Sequence, residues 1–164
     1  NMDLEKLIAE YGPAISRISS SYEREPERSQ ELAQEIWTEI WLSLENFKEQ
    51  SSLKTWIYRV GYNVAISHCF RESKRTQFSS IEDIDVATTD DISGVENRQV
   101  LEKIQALLQD LQPLDRQLFL LYLEGEKQSE ISQICGISET NVSTKISRIK
   151  AMLQTRFSLG GSDE

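Results

Sequence analysis

Apolar residues recur along this chain at three- and four-residue steps and hardly ever in alternation, so the pattern predicts helices throughout. Leu4, Leu7, Ile8, Tyr11, Ile15 and Ile18 form the first stripe, interrupted at Gly12-Pro13. The break reads as one helix entered by a turn, or as two short helices. After the polar run SSSYEREPERS, Pro26 suits a first helical turn and Ser29 a cap. Leu32, Ile36, Trp37, Ile40, Trp41, Leu44 and Phe47 then predict an amphipathic helix. Both tryptophans are placed in the core, since each can bury ~150–250 Å². The outer face of this helix shows Glu31, Gln34, Glu35, Thr38 and Glu39.

The third predicted helix starts near Leu53, where Ser51 or Ser52 can cap an orphan amide of the first turn. Leu53, Trp56, Ile57, Val60, Val64 and Cys69 form its buried stripe. The other face carries Lys54, Tyr58, Arg59, Tyr62 and Asn63, groups able to stack on bases, pair with phosphates or hydrogen-bond a base edge. It ends in a basic cluster, Arg71, Lys74 and Arg75.

From residue 76 to 95 the helical period lapses, and five acids stand without a base. This reads as an acidic linker, with Phe78, Ile81 and Ile84 as docking points. A capping box, Ser93-x-x-Glu96, restarts helix, with Val100, Leu101, Ile104, Leu107, Leu108 and Leu111 inward. Pro113 begins another helix, which stops at Gly125. The last motif is QSEISQICGISETNVSTKISRIKAML. Ile131 and Ile134 mark a short helix, Gly136 supplies a left-handed end, Ile137 plugs the turn and Ser138 caps a second helix. That is the sequence shape of a helix-turn-helix, whose second helix enters the major groove. No acid occurs from Thr140 to Ser162, as a helix set against phosphates requires.

Charge sharpens the picture. The net charge is −9, but residues 1–75 carry 12 acids against 10 bases and residues 76–100 carry 6 against 1. The acidic excess therefore sits in the middle and leaves both ends free to meet nucleic acid. Cys69 and Cys135 have no metal-like spacing and His68 has no second histidine, so no metal or other cofactor is expected. No nucleophile–base pair or phosphate loop suggests an enzyme. No apolar run approaches the ~18 residues of a membrane span. A cytoplasmic protein with reduced thiols and no direct membrane insertion is expected.

LAQEIWTEIW followed by FKEQSSLKTWIYRVGYNVA, and later LQPLDRQLFLLYLEGEKQSEISQICGIS with NVSTKISRIK, resemble the extracytoplasmic-function (ECF) class of RNA polymerase sigma factors. The resemblance implies an all-α protein of two small helical domains. Sigma domain two would occupy residues 1–75 and sigma domain four residues 96–158, joined by the linker 76–95. It implies binding to core RNA polymerase, promoter DNA and an anti-sigma factor, with recognition of −10 and −35 elements and melting at the −10 element. Carried over by position, Glu31, Gln34, Glu35 and Thr38 match the surface that docks on the polymerase. Phe47, Lys48, Lys54, Arg59 and Asn63 match the −10 surface and its pocket for a flipped base, with Arg71, Lys74 and Arg75 on upstream phosphates. Gln128, Ser138, Asn141, Ser143, Thr144, Lys145, Ser147 and Arg148 match the −35 surface. Ser143 stands where many relatives have a base, so weak DNA affinity of the free chain is expected.

Two other functions fit parts of the pattern. A sigma-like protein could sequester an anti-sigma factor without initiating transcription, but it would have no need of Phe47, Arg59 and Asn63 together. An ordinary helix-turn-helix regulator would dimerise on a two-fold operator and leave the first 75 residues unexplained.

Overall fold

The computed structural model describes residues 3–76 and 96–161, all the regular structure of which is helical. The helices are α1 (Leu4–Tyr22), α2 (Pro26–Ser43), α3 (Leu53–Thr76), α4 (Glu96–Asp110), α5 (Pro113–Leu123), α6 (Gln128–Cys135) and α7 (Glu139–Gly161). A short 3₁₀ turn, Leu44–Asn46, follows α2. Of the segment read as the acidic linker, Thr76 ends α3, and the rest, with Phe78, Ile81, Ile84 and the capping Ser93, lies outside the described residues.

The first domain is a three-helix unit. Asp3 caps α1 by accepting from the Glu5 amide at 3.1 Å. Of the two expectations for Gly12-Pro13, neither a turn nor two helices is seen: α1 runs unbroken with Pro13 inside it. An internal proline costs ~3 kcal/mol, offset here by burial of Leu7, Ala14, Ile15 and Ile18 on both sides of it. Pro26 opens α2 as expected. Ser29 is not its cap: it lies within the helix, buried, with its hydroxyl 3.2 Å from that of Ser19.

Trp41 is also not core; it is 55% exposed, and Leu42 beside it 65%. At about 100° per residue, Trp41 falls about half a turn round the helix from Leu32, which shares the buried side with Ile36 and Ile40.

Helix α3 is capped by Ser52, whose hydroxyl accepts from the Thr55 amide at 3.1 Å. Where it crosses α1 and α2, Gly61 allows close approach: a Cβ there would lie 3.3 Å from Ile15 Cδ1 and 3.4 Å from Ile18 Cδ1. Gly61→Ile is therefore expected to destabilise the protein by roughly 2 kcal/mol through overpacking, read as a fall in the urea midpoint. Only an unchanged midpoint would refute the tight crossing.

In the second domain α5 is the central element. Arg116, Gln117, Leu118, Phe119, Leu120 and Leu121 are all buried, so this helix is covered all round. Val100, placed inward by the sequence pattern, is instead exposed near the start of α4. Gly125 (φ 86°) and Gly136 (φ 75°) occupy the left-handed region where glycine is favoured, and each ends a helix. The Ser138 hydroxyl accepts from the Asn141 amide at 3.1 Å, which starts α7 as the sequence indicates.

The domains pack against each other along α1 and α3 on one side and α4, α5 and α6 on the other. Tyr22 donates its hydroxyl to the Pro113 carbonyl at 2.7 Å. The Ser21 carbonyl accepts from both Gln109 Nε2 and Arg116 Nη1 at 3.1 Å. Tyr58 and Tyr62, which the sequence sets beside the DNA-facing residues of α3 with packing as the alternative, are buried here. Helix α3 thus has two buried sides, one for each domain.

Candidate polymerase and nucleic-acid surfaces

Three surfaces emerge from this packing. The first is the outer side of α2. Glu31, Gln34, Glu35 and Thr38 are exposed on it, with the Thr38 hydroxyl bonded back to the Gln34 carbonyl at 2.9 Å. Trp41 and Leu42 continue the same side by one turn, adding an apolar end that the hydrophobic pattern had assigned to the core. A polar strip ending in an exposed tryptophan is the composition of an interface anchor.

The second surface lies along α3. Phe47 follows the 3₁₀ turn and packs on Trp56, ring centroids 5.0 Å apart at 35°. Trp56, Arg59 and Asn63 succeed one another at three- and four-residue steps and so share one side of the helix. Lys48, Arg59 and Asn63 are exposed. Three of the basic groups expected here are engaged, however. Lys54 Nζ lies 2.9 Å from Glu126 Oε1 of the second domain, a hydrogen bond that raises the lysine pKa. Arg59 donates through Nε and Nη2 to the Gln133 carbonyl at 3.0 and 2.7 Å. Arg71 pairs with Glu35 at 3.0 Å, linking the basic end of α3 to the outer side of α2. The side chains of Lys74 and Arg75 lie outside the described residues.

The third surface is α7. Asn141, Ser143, Thr144, Ser147 and Arg148 are exposed, while Val142, Ile146 and Ile149 are buried against the rest of the domain. Gln128 and Ser138 are exposed at the starts of the two helices. Lys145 is half-exposed and paired with Asp115 at 3.0 Å. Lys150 sits over the Tyr122 ring, 4.8 Å from its centroid. The partners of these α7 lysines lie within the second domain, whereas Lys54 and Arg59 of α3 are engaged from the other domain. No described helix is long and apolar enough to cross a membrane.

Sequence reasoning missed two groups that shape these surfaces. Trp41 was legible from its angular offset from Leu32, Ile36 and Ile40. Arg116 was not: nothing in its neighbourhood marks a buried cation that joins the two domains.

The geometry agrees with comparison to known proteins. The sigma-70 region 2 family matches residues 7–75, and the sigma-70 region 4 family matches residues 101–153. An ECF RNA polymerase sigma-E factor of Haemophilus influenzae is 25% identical over 126 residues, covering 70% of this chain and 67% of the relative. Among solved structures, the sigma factor RpoE of Bartonella quintana, in complex with the anti-sigma factor NepR, has the same fold. Its TM-score is 0.72 at 18% identity, over 92% of this chain and 94% of that one. CnrH, in complex with the cytosolic domain of CnrY, superposes with TM-score 0.69 at 20% identity, over 95% and 88% of the two chains. With region 2 preceding region 4 and the two together spanning most of the sequence, the chain belongs to the sigma-70 family, as a sigma factor of the ECF class.

Proposed function

We propose that this sigma factor works through residues 1–75 on core polymerase and the −10 element and through residues 96–158 on the −35 element, with residues 76–95 as the connection. The outer side of α2, Glu31, Gln34, Glu35 and Thr38 with Trp41 and Leu42, docks on the polymerase. Phe47, Lys48, Lys54, Arg59 and Asn63 receive the −10 strand, and Arg71, Lys74 and Arg75 take upstream phosphates. Gln128, Ser138, Asn141, Ser143, Thr144, Lys145, Ser147 and Arg148 read the −35 element in the major groove. An anti-sigma factor belongs to this reading, since both solved relatives are complexes, the first with a named anti-sigma factor. The protein acts in the cytoplasm, where its polymerase is.

The observation that carries the −10 assignment is the side of α3 on which Trp56, Arg59 and Asn63 line up, with Phe47 packed at its lower end. Extruding a base costs a few kcal/mol, and an aromatic wall beside hydrogen-bonding groups repays it. The test is binding to core polymerase followed by run-off transcription on fragmented genomic DNA, wild type beside Arg59→Ala and Asn63→Ala. Both variants should bind core normally and lose transcripts by about tenfold or more, as expected for a lost base contact. Core binding with no transcript from wild type would favour a sigma-like protein that only sequesters an anti-sigma factor. Absence of core binding would refute the assignment of α2.

A further inference from the structure

The fold treats its two DNA-facing surfaces differently: the second domain leaves Asn141, Ser143, Thr144, Ser147 and Arg148 of α7 exposed, while α6 and the turn before it engage Lys54 and Arg59 of α3. That turn and helix bring Glu124, Glu126 and Glu130 to the first domain, and each carboxylate finds a donor there. Glu126 takes Lys54 at 2.9 Å, and Glu130 accepts from the Thr55 hydroxyl at 3.2 Å. Glu124 pairs with Arg17 at 2.9 Å and lies 3.4 Å from the Tyr58 hydroxyl.

Among the described residues Arg59 meets no carboxylate but grips the carbonyl of Gln133 with two donors. This acceptor is open because Gly136 turns the chain: the Ile137 amide, which a continuing helix would offer to Gln133, bonds to Ser132 instead. Arg59 therefore sits at the negative end of α6. Acceptor oxygens and negative potential are what a phosphodiester would offer the same lysine and arginine.

We infer that residues 124–133 are an internal stand-in for nucleic-acid phosphates, an autoinhibitory contact that occupies Lys54 and Arg59 of the −10 surface in the free chain until the domains part. The inference rests on α3 being that surface, as proposed above. It makes DNA binding by the free chain a competition. Apparent affinity is then the affinity of the open form reduced by the fraction of chains that are open.

The full chain and a labelled, mixed-sequence single strand of DNA suffice as the test. E124Q/E126Q/E130Q keeps side-chain shape and removes the charges facing α1 and α3. E5Q/E10Q/E27Q removes as many from exposed positions on α1 and α2. The first should bind about tenfold tighter than wild type at equal ionic strength, and the second should change by about twofold or less. Adding Lys54→Ala and Arg59→Ala to the first should cancel its gain. An equal gain in both triple variants would reduce the effect to net charge and overturn the inference. A gain that survives loss of Lys54 and Arg59 overturns it as well, because the DNA would then be using another surface.

A charge swap tests the contact without DNA. E126K sets two ammonium groups together and should raise the radius of gyration, and K54E/E126K should restore it. Failure of that rescue also counts against the contact. If these tests fail while Arg59→Ala still abolishes run-off transcription, the proposed function stands and only the internal inhibition falls.

Discussion

Arg116→Met is expected to lower the unfolding free energy by about 3 kcal/mol, because it takes the donor from the Leu111 and Gln109 carbonyls and leaves the Ser21 carbonyl with Gln109 Nε2 alone. The arginine is 5% exposed and, among the described residues, meets no carboxylate. Nη1 donates to the Ser21 carbonyl at 3.1 Å, and Nη2 to those of Leu111 at 3.1 Å and Gln109 at 3.4 Å. Its guanidinium also lies over the Tyr22 ring, 4.8 Å from the centroid. Ser21 belongs to the last turn of α1, Gln109 to the last turn of α4 and Leu111 is the residue just after it, so two negative helix ends converge on one cation. Methionine keeps the stem and removes every donor. Lysine should not rescue, since a point charge on a flexible chain cannot span both helix ends as the planar fork does.

Probe choice makes the result more specific. All three tryptophans, Trp37, Trp41 and Trp56, are in the first domain. In wild type, tryptophan fluorescence and circular dichroism should report one urea transition. In Arg116→Met the dichroism should fall first, as the second domain melts ahead of the first. A midpoint shift worth less than about 0.5 kcal/mol would show the carbonyls to be indifferent to the arginine.

Much of this was legible in the sequence because it is local chemistry. Ser52 and Ser138 cap where a serine precedes an apolar period, and Gly136 takes the left-handed position between Cys135 and Ile137. The family regions fall where LAQEIWTEIW and NVSTKISRIK stand. What escaped depends on partners distant in the chain. The packing role of Tyr58 and Tyr62 stayed undecided in the sequence because the period of α3 gives one buried side. The second side is buried by helices that start about 50 to 70 residues later, which no window along the chain can see. The same remoteness hid Arg116 and the engagement of Lys54 and Arg59. Ser29 failed for a different reason: a serine three residues beyond a helix start resembles a cap in sequence, but here it bonds to Ser19 across the α1–α2 contact.

The seam between the domains should also open in alkali. Burial raises the pKa of Tyr22, Tyr58 and Tyr62 above the usual tyrosine value, and pushes the Cys135 thiol up to about 12. Glu124 and Glu126 push Tyr58 further in the same direction. All four groups are neutral when protonated, and their folded values lie above the unfolded ones. The folded chain therefore holds protons that the unfolded chain gives up first, and stability falls as pH rises. The contribution is complete below the ordinary values, 9.0 for cysteine and 10.0 for tyrosine, and is lost above them.

A titration from about pH 8 to about pH 12 should show these tyrosines ionising late and steeply, in step with separation of the domains. Gradual ionisation near the ordinary tyrosine value would mean that the seam is already open in solution. Cys135 supplies a second readout. A thiol near 12 instead of 9.0 has about a thousandfold less thiolate in mild alkali, so alkylation should be slower by up to that factor. In E124Q/E126Q/E130Q much of the reactivity should return, because the acids that hold α6 on α3 also keep Cys135 from solvent. Fast alkylation in wild type would count against closure without any appeal to DNA.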